Sequence, residues 1–194
     1  MISHDYRCIF IHIPKCAGTS IEDALGHLDN HPGRGGQDHR SIRLIEPIHL
    51  SHFRHIIFKK DNFSEFIQKI KYNRREQMNP KNKFTVNAQQ FNSYFKFTVV
   101  RNPWSRIYSW YSNVMKDEIH KRNYRISGEI SLKEFLRLHI GKGMVRPQTY
   151  WIKSFNGSIP LDYIGRFENL HHDFAEICKR MGIKPILLPH RIQG

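Results

Sequence analysis

The 194-residue sequence has no long apolar run, few cysteines and few acidic residues. No apolar run approaches the ~18 residues that a membrane-spanning helix needs. The first residues lack the long apolar stretch and the small-residue cleavage site of a signal peptide. The three cysteines form no CxxC pair, which argues against a disulfide framework and for a reducing compartment. We therefore expect a chain without a transmembrane segment or an export signal.

The shortage of acidic residues leaves a large positive charge. There are 17 Asp and Glu against 31 Lys and Arg, a formal net charge of +14. Such a charge indicates an anionic partner, which by charge alone is a nucleic acid, an anionic membrane surface, or an anionic small ligand or polymer. At 39% hydrophobic and 12% aromatic residues, the chain is not a disordered basic tail. Its length predicts one domain over residues 1–194.

Three segments are apolar almost continuously, as buried strands are. Each is followed by a turn signal and then by apolar residues at helical spacing. The predicted strands are 8–13, 94–100 and 161–167, and the predicted helices begin at Thr19, at Pro103 after a capping Asn102, and at Asn169. This alternation predicts an α/β fold with a central parallel sheet flanked by helices. Residues 71–90 are polar and basic and are predicted to be an exposed insertion.

The first loop with a chemical signature is IHIPKCAGTS, residues 11–20. A loop between a strand and a helix presents backbone N–H groups to an anion, and Gly18 allows a close approach. Lys15 adds a cation, and Thr19 and Ser20 add hydroxyl donors. The loop is a predicted phosphate or sulfate cradle, but it lacks the GK[ST] ending of the common nucleotide-binding loop. The competing interpretation is an ordinary strand–helix turn with a surface lysine.

The second loop is VVRNPWSRIYSWY, residues 99–111. Arg101 follows a strand at its carboxyl end, where open α/β sheets bind ligands. Ser105, Ser109 and Ser112 share one helix face. Arg101 and Ser109 can therefore converge on one anion, which a guanidinium grips through two hydrogen bonds. The competing interpretation is a helix cap with an arginine that pairs with a carboxylate.

Taken together, these loops resemble those of the sulfotransferases that use 3′-phosphoadenosine 5′-phosphosulfate (PAPS), in particular the carbohydrate-type branch called sulfotransferase family 2. The resemblance rests on FIHIPKCAGTS, YFKFTVVRNPWSRIYSWY and IGRFENL, and its order and spacing extend to about residue 190. It implies a P-loop-like three-layer fold and transfer of a sulfuryl group from PAPS to a hydroxyl, in this branch on a carbohydrate.

The resemblance also implies roles for residues of both loops. The first loop would bind the 5′-phosphosulfate, and the second would grip the 3′-phosphate through Arg101 and Ser109. The residues of the first loop to which this role carries over are Lys15, Cys16, Ala17, Gly18, Thr19 and Ser20. Cys16 stands where the family usually has Thr, and its backbone N–H would still serve the cradle. The family continues beyond the LPH-type segment, here LPHRIQG, so this sequence is expected to be either a shortened member or a truncated one.

The catalytic residues are predicted partly from chemistry and partly from the resemblance. Lys15 would neutralise charge on the leaving phosphate, so no metal is invoked. A histidine suits the role of base because its pKa lies near neutrality. His39, in QDHRSIRLIEP, matches a His-containing segment of the family and is the predicted base. The spacing of His49, His52 and His55 is less typical of metal ligands than of a histidine-rich surface.

For the acceptor, the resemblance points to Gln148 and Tyr150 in RPQTYW, and Arg40 is a candidate contact to an anionic sugar chain. Arg43 and Arg146 are weaker candidates of the same kind. Arg166 would contact the donor or form an ion pair with Glu168 or Asp173.

Three other functions remain open at this point: a P-loop kinase-like enzyme, a basic nucleic-acid-binding module, and an inactive binder. The partner expected from the resemblance is a hydroxyl-bearing carbohydrate and not a nucleic acid. The expected location is the cytoplasm, or the Golgi lumen if an upstream anchor is missing.

Overall fold

In the computed structural model, which describes residues 1–31 and 33–189, four strands form one sheet in the order β1-β2-β3-β4. They are β1 (Ile2–Ser3), β2 (Cys8–Ile11), β3 (Phe95–Val100) and β4 (Tyr163–Arg166). β2, β3 and β4 run parallel, with Phe10 paired to Phe97 and Thr98 to Ile164, whereas β1 is antiparallel to β2. The α/β prediction is confirmed, but the sheet is mixed and not wholly parallel.

Helices surround this sheet in the described part of the chain. Their ranges are α1 (Gly18–Ala24), α2 (Ile42–Ile45), α3 (His52–Phe58), α4 (Lys60–Arg74), α5 (Ala88–Ser93), α6 (Pro103–Met115), α7 (Glu118–Tyr124), α8 (Leu132–His139), α9 (Thr149–Ile152) and α10 (Leu170–Arg180), with 3-10 turns at Pro80–Lys83, Gly143–Val145 and Phe167–Asn169. No helix in the described ranges combines the length and the apolar character needed to cross a bilayer.

The main core lies on the sheet, where every residue of β2 is buried. Phe10 stacks on Phe97 at 5.0 Å between ring centroids, and Phe174 and Ile177 of α10 are buried in the same cluster. A smaller cluster of Val114, Phe135 and Val145 joins α6 and α8. Since β2, β3 and β4 are parallel, their carboxyl ends lie at one edge of the sheet, and the two predicted anion loops meet there.

The helix start after β3 follows from its sequence. Asn102 accepts hydrogen bonds from the N–H groups of Trp104 and Ser105 at 3.0 and 3.2 Å. Pro103 occupies the first helical position, where a missing N–H costs nothing. These local interactions start α6 at Pro103, two residues after Arg101.

The segment 71–90 is mostly exposed, as predicted, but individual side chains within it are buried. Asn79 and Asn82 are buried, and their amide groups donate to the carbonyls of His27 and Gly36 at 2.8 to 3.3 Å. Buried carbonyls need such partners, so this segment holds the loop that leads to His39. Residues 190–194 of the LPHRIQG segment lie outside the described residues. The prediction about the C-terminus also falls on this segment.

Candidate active site

A cavity of about 570 Å³ opens at the carboxyl edge of the parallel strands. Both anion loops line it. The predicted residues around it are Lys15, Ala17, Gly18, Thr19, Ser20, His39, Arg101 and Ser109. Residues that are far apart in sequence therefore converge as the strand–loop–helix pattern predicts, while their chemical roles stay predictions.

A second cavity of about 460 Å³ lies at the opposite edge, beside the strand starts. Residues such as Arg7, Phe95 and Asp162 line it, and none of the predicted site residues does. In parallel α/β sheets ligands bind at the carboxyl ends of the strands, so the first cavity is the candidate site.

The first loop has an unusual backbone. Lys15 and Ala17 have positive φ angles of 66° and 62°, which cost energy for residues with a Cβ and persist mainly at functional sites. Ala17 precedes α1 and, among the described residues, gives its first N–H groups no side-chain cap. These groups border the cavity, where an anion can accept hydrogen bonds from them.

Gly18 begins α1 directly against a buried histidine. A Cβ at this position would lie 1.9 Å from Cδ2 of His12, much closer than atoms can approach. His12 belongs to the segment that leaves β2, and its ring fills the space below the loop. Glycine is therefore required here for packing as well as for access to an anion.

Replacing Gly18 with Ala is expected to lower the free energy of unfolding by about 1–3 kcal/mol, because a new methyl group must displace the loop or the His12 ring. Urea denaturation measures this loss. Gly33→Ala is the matched control, since no atom lies within 4 Å of its added Cβ. Equal stability of the two variants would contradict the close contact.

The second loop is attached to the first through Arg101. Its Nη1 donates to the Lys15 carbonyl at 3.2 Å, and its guanidinium lies 4.1 Å from the centre of the Phe167 ring. Burial, followed by the charge of Arg101, lowers the pKa of Lys15. Two cations that share one cavity in this way favour an anion between them.

The predicted acceptor residue Gln148 instead connects the two loops. Its Oε1 accepts from the Arg101 N–H at 2.9 Å, and its Nε2 donates to the Arg101 carbonyl at 2.8 Å. The Cys16 thiol lies 3.5 Å from the same Oε1. Gln148 does not line the cavity, so its place in the structure is that of a support for Arg101.

Cys16 is buried below the cradle. Burial raises the pKa of its thiol to about 12, so the thiol stays protonated at neutral pH and is a poor nucleophile. The predicted role of Cys16 in binding therefore rests on its backbone N–H and not on its thiol.

Tyr150 and Arg40 also lie away from the cavity. The Tyr150 hydroxyl donates to Glu65, and the ring packs against the guanidinium of Arg146. Arg40 is only 2% exposed and forms a bidentate ion pair with buried Asp38. The structure thus places both side chains on protein partners outside the cavity, and their contacts with the acceptor stay predictions.

His39 lines the cavity beside the first loop. Its ring centre lies 4.2 Å from that of His12, and His12 Nδ1 lies 3.2 Å from Glu22 Oε1. The His39 side chain keeps an exposed surface, while protein atoms packed around the ring partly desolvate it. Desolvation, followed by the neighbouring His12, lowers the pKa of His39, so its imidazole is neutral at neutral pH.

Other cavity residues were not predicted as site residues. They include Arg34, Gln37, Trp110, Asn113, His120, Phe167 and His171. Asn113 lies four residues beyond Ser109 on α6, a spacing that could have identified it. Phe167 directly follows β4 at the same sheet edge. Arg34 and His120 have no such local signal, because the fold alone brings their loops to the cavity.

The histidine-rich segment lies elsewhere. His52 is buried against Phe155, with 5.9 Å between ring centres, and His49 contacts His52 edge-on. In the described ranges no three His, Cys, Asp or Glu side chains are grouped as a metal site requires.

The family follows from a comparison with known protein families. The model of the sulfotransferase family matches residues 1–193. This chain belongs to the sulfotransferase family. The resemblance inferred from the two loops is confirmed, and both loops of this family member lie inside the match.

Two relatives show similarity over about half of this sulfotransferase-family chain. An uncharacterised protein of Archaeoglobus fulgidus is 28% identical over 99 residues, which are 50% of this chain and 76% of that protein. Carbohydrate sulfotransferase 14 of Danio rerio is 30% identical over 111 residues, which are 46% of this chain but only 30% of the relative. No solved structure matches.

Proposed function

We propose that this protein transfers a sulfuryl group from PAPS to a hydroxyl group of a carbohydrate. The observation that carries the proposal is the convergence of Lys15 and Arg101, at the ends of adjacent parallel strands, on one cavity with hydroxyl donors around it. The donor is charged at both ends, with a phosphosulfate at one and a 3′-phosphate at the other. Family membership supports the reaction class.

The two loops divide the donor between them in this proposal. Lys15, Thr19 and Ser20 bind the phosphosulfate end together with the N–H groups at the start of α1. Arg101 and Ser109 hold the 3′-phosphate, and Phe167 and Gln148 keep Arg101 in place. Positioning and electrostatic stabilisation supply most of the catalysis in such group transfers.

The chemical step needs a base and a stabilised leaving group. The acceptor oxygen forms a bond to sulfur while the bond between sulfur and the phosphate oxygen breaks. His39 accepts the hydroxyl proton, and Lys15 neutralises the charge that develops on the phosphate. Since Lys15 and Arg101 provide positive charge, the proposal needs no metal ion. The products are a sulfate ester and adenosine 3′,5′-bisphosphate.

The carbohydrate acceptor is inferred from the Danio rerio relative, a carbohydrate sulfotransferase by name, and from the resemblance of the loops. Arg40 is not available to hold an anionic sugar, because it pairs with Asp38. Arg34, His120 and His171 at the cavity wall are basic side chains to which no donor role is assigned. Arg34 is itself paired with Asp117, so a neutral sugar hydroxyl fits the wall as well as an anionic one.

Donor recognition is tested by thermal unfolding with adenosine 3′,5′-bisphosphate, and with ATP and Mg²⁺ for comparison. A ligand at one hundred times its Kd adds about 2.7 kcal/mol of stability. We expect the bisphosphate to raise the Tm and Arg101→Ala to abolish that rise. Arg137→Ala, at an exposed position of α8, is the control and should retain it.

A larger shift with ATP and Mg²⁺ would favour a kinase-like enzyme and contradict the proposal, as would the absence of any shift with the bisphosphate. Transfer itself is tested by mass spectrometry after incubation with PAPS and a panel of desulfated polysaccharides, simple sugars and a tyrosine peptide. Sulfation of the peptide alone would leave the donor assignment intact and reject the carbohydrate acceptor.

A further inference from the structure

The short helix α3 is apolar on two opposite sides. His52 and Ile56 point inward and are buried. The outward side chains are just as apolar yet lie in solvent: Leu50 is 88% exposed, Phe53 43%, Ile57 66% and Phe58 83%, and Phe63 of α4 beside them is 53% exposed. We call these five side chains the α3 patch.

The spacing places most of the patch on one surface. Phe53 and Ile57 are four residues apart and therefore adjacent on α3, and Leu50 lies in the turn before the helix, where its carbonyl accepts from the Phe53 N–H at 3.2 Å. Helices α3 and α4 pack against each other, which brings Phe63 to the same pair of helices. Clustered exposed apolar side chains mark an interaction surface.

The charges around the patch are mainly positive. Arg54, Lys59 and Lys60 are exposed within or beside it, whereas Asp61 is the neighbouring exposed acid. These basic residues belong to a chain with a formal net charge of +14, of which the proposed donor accounts for two cations. None of residues 50–63 lines the candidate active site.

We propose that the α3 patch docks on the surface of an anionic lipid bilayer. Aromatic and aliphatic side chains enter the boundary between headgroups and acyl chains, while flanking Lys and Arg side chains attract anionic headgroups. The patch combines both features over 14 residues. A nucleic acid would satisfy the charges but would leave Leu50, Ile57 and Phe58 in water.

A second copy of the chain fits the patch less well. In a symmetric dimer the same surface meets itself, so Arg54, Lys59 and Lys60 of one copy would lie near their equivalents in the other. Like charges in contact destabilise an interface. The charge of an anionic bilayer is complementary to the patch, and this complementarity decides between the two occupants.

The test is co-sedimentation of the purified protein with vesicles of phosphatidylcholine, alone or mixed with phosphatidylglycerol. We expect binding to the mixed vesicles and weaker binding as salt is raised. The double variant Ile57→Ser, Phe58→Ser should bind at least about tenfold more weakly, given the apolar area that it removes from the contact. Leu187→Ser, at a residue 94% exposed outside the patch, should bind like the wild type.

The charges are tested separately. The triple variant Arg54→Gln, Lys59→Gln, Lys60→Gln should bind the mixed vesicles about fivefold more weakly for each charge removed, or about a hundredfold more weakly in all. The control variant Arg122→Gln, Lys133→Gln, Arg137→Gln neutralises three exposed cations outside the patch. Its affinity for the vesicles should fall far less.

Several results would overturn the proposal: equal binding to both kinds of vesicle, no binding to either, or equal losses in patch and control variants. Sedimentation velocity tests the alternative that the patch forms a dimer. A dimer that the double variant abolishes would assign the patch to a second copy of the chain and would overturn the membrane proposal. Thermal shifts with adenosine 3′,5′-bisphosphate should be the same in all these variants, so failure here leaves the proposed transferase function untouched.

Discussion

Replacing His39 with Gln is expected to reduce sulfuryl transfer about 10²–10⁴-fold, the usual contribution of a general base, and to leave the affinity for adenosine 3′,5′-bisphosphate unchanged. His39 lines the same cavity as Lys15 and Ser20 and is available to accept a proton from an acceptor hydroxyl. Gln retains a polar side chain of similar reach but cannot accept a proton at neutral pH.

The measurement compares initial rates of sulfate transfer with the thermal shift caused by the bisphosphate. His171→Gln is the matched control, because His171 also lines the cavity but lies on α10, on another wall. A His39 variant that turns over like the wild type would show that the base is another group. Loss of both transfer and thermal shift would instead indicate that His39 supports the loop.

The pH dependence of transfer tests the same assignment. Desolvation and the neighbouring His12 lower the pKa of His39 from its ordinary value of 6.5. A base with a lowered pKa stays unprotonated as the pH falls through 6.5. Transfer should therefore persist below that pH, and the acidic limb of the rate profile should appear at a lower pH than for an ordinary histidine.

The parts of the site that could be predicted from sequence depend on local signals. Apolar strands followed by a capped helix, as at Asn102 and Pro103, specify both the element and the edge at which it ends. Parallel pairing then brings residues 15–20 and Arg101 together without any further information. For this reason the position of the two loops at one edge of the sheet is as predicted, while their donor-binding role stays a prediction and the antiparallel β1 was not foreseen.

The residues that sequence reasoning misplaced depend on side-chain direction and on distant partners. Arg40 follows His39 in the chain but points into the interior, since Asp38 is buried and needs a cation. Gln148 is 47 residues from Arg101, and no periodicity links the two. Asn79 is polar and was assigned to an exposed loop, yet it is buried because it satisfies distant carbonyl groups. The polar composition of a segment therefore predicts that its side chains are exposed only where they find no such hydrogen-bond partners inside the protein.

The second large effect is expected on stability: Arg40→Met should lower the free energy of unfolding by about 3–5 kcal/mol, the loss typical of breaking a buried ion pair. Arg40 Nε lies 2.9 Å and Nη2 2.6 Å from the Asp38 carboxylate oxygens. Its Nη1 also donates to the Phe84 carbonyl at 2.9 Å. Methionine fills much of the space but leaves a buried carboxylate without this guanidinium.

Urea denaturation of Arg40→Met measures the loss. Arg180→Met is the control, because Arg180 pairs with Glu176 at the surface, where an ion pair contributes about 0–1 kcal/mol. The double variant Asp38→Asn, Arg40→Met should recover part of the stability, since it removes the buried charge together with its partner. Similar losses in the Arg40 and Arg180 variants would contradict a buried pair.

The pH dependence of this loss gives an independent check on the ion pair. Burial alone would raise the pKa of Asp38, but Arg40 outweighs it and holds that pKa below its ordinary value of 3.8. A carboxyl group with a lowered pKa contributes stability above its unfolded-state pKa and loses that contribution as the pH falls toward its folded-state pKa. The contribution of Asp38 to wild-type stability should thus be constant near neutral pH and be lost only below about pH 3.8. In Arg40→Met, burial acts on Asp38 without this guanidinium, so the difference between the two proteins should begin to shrink above that pH. Asp38 directly precedes His39, and its N–H donates to Glu22 of α1 at 3.1 Å, so the segment that carries the proposed base is anchored both by this hydrogen bond and by the ion pair with Arg40.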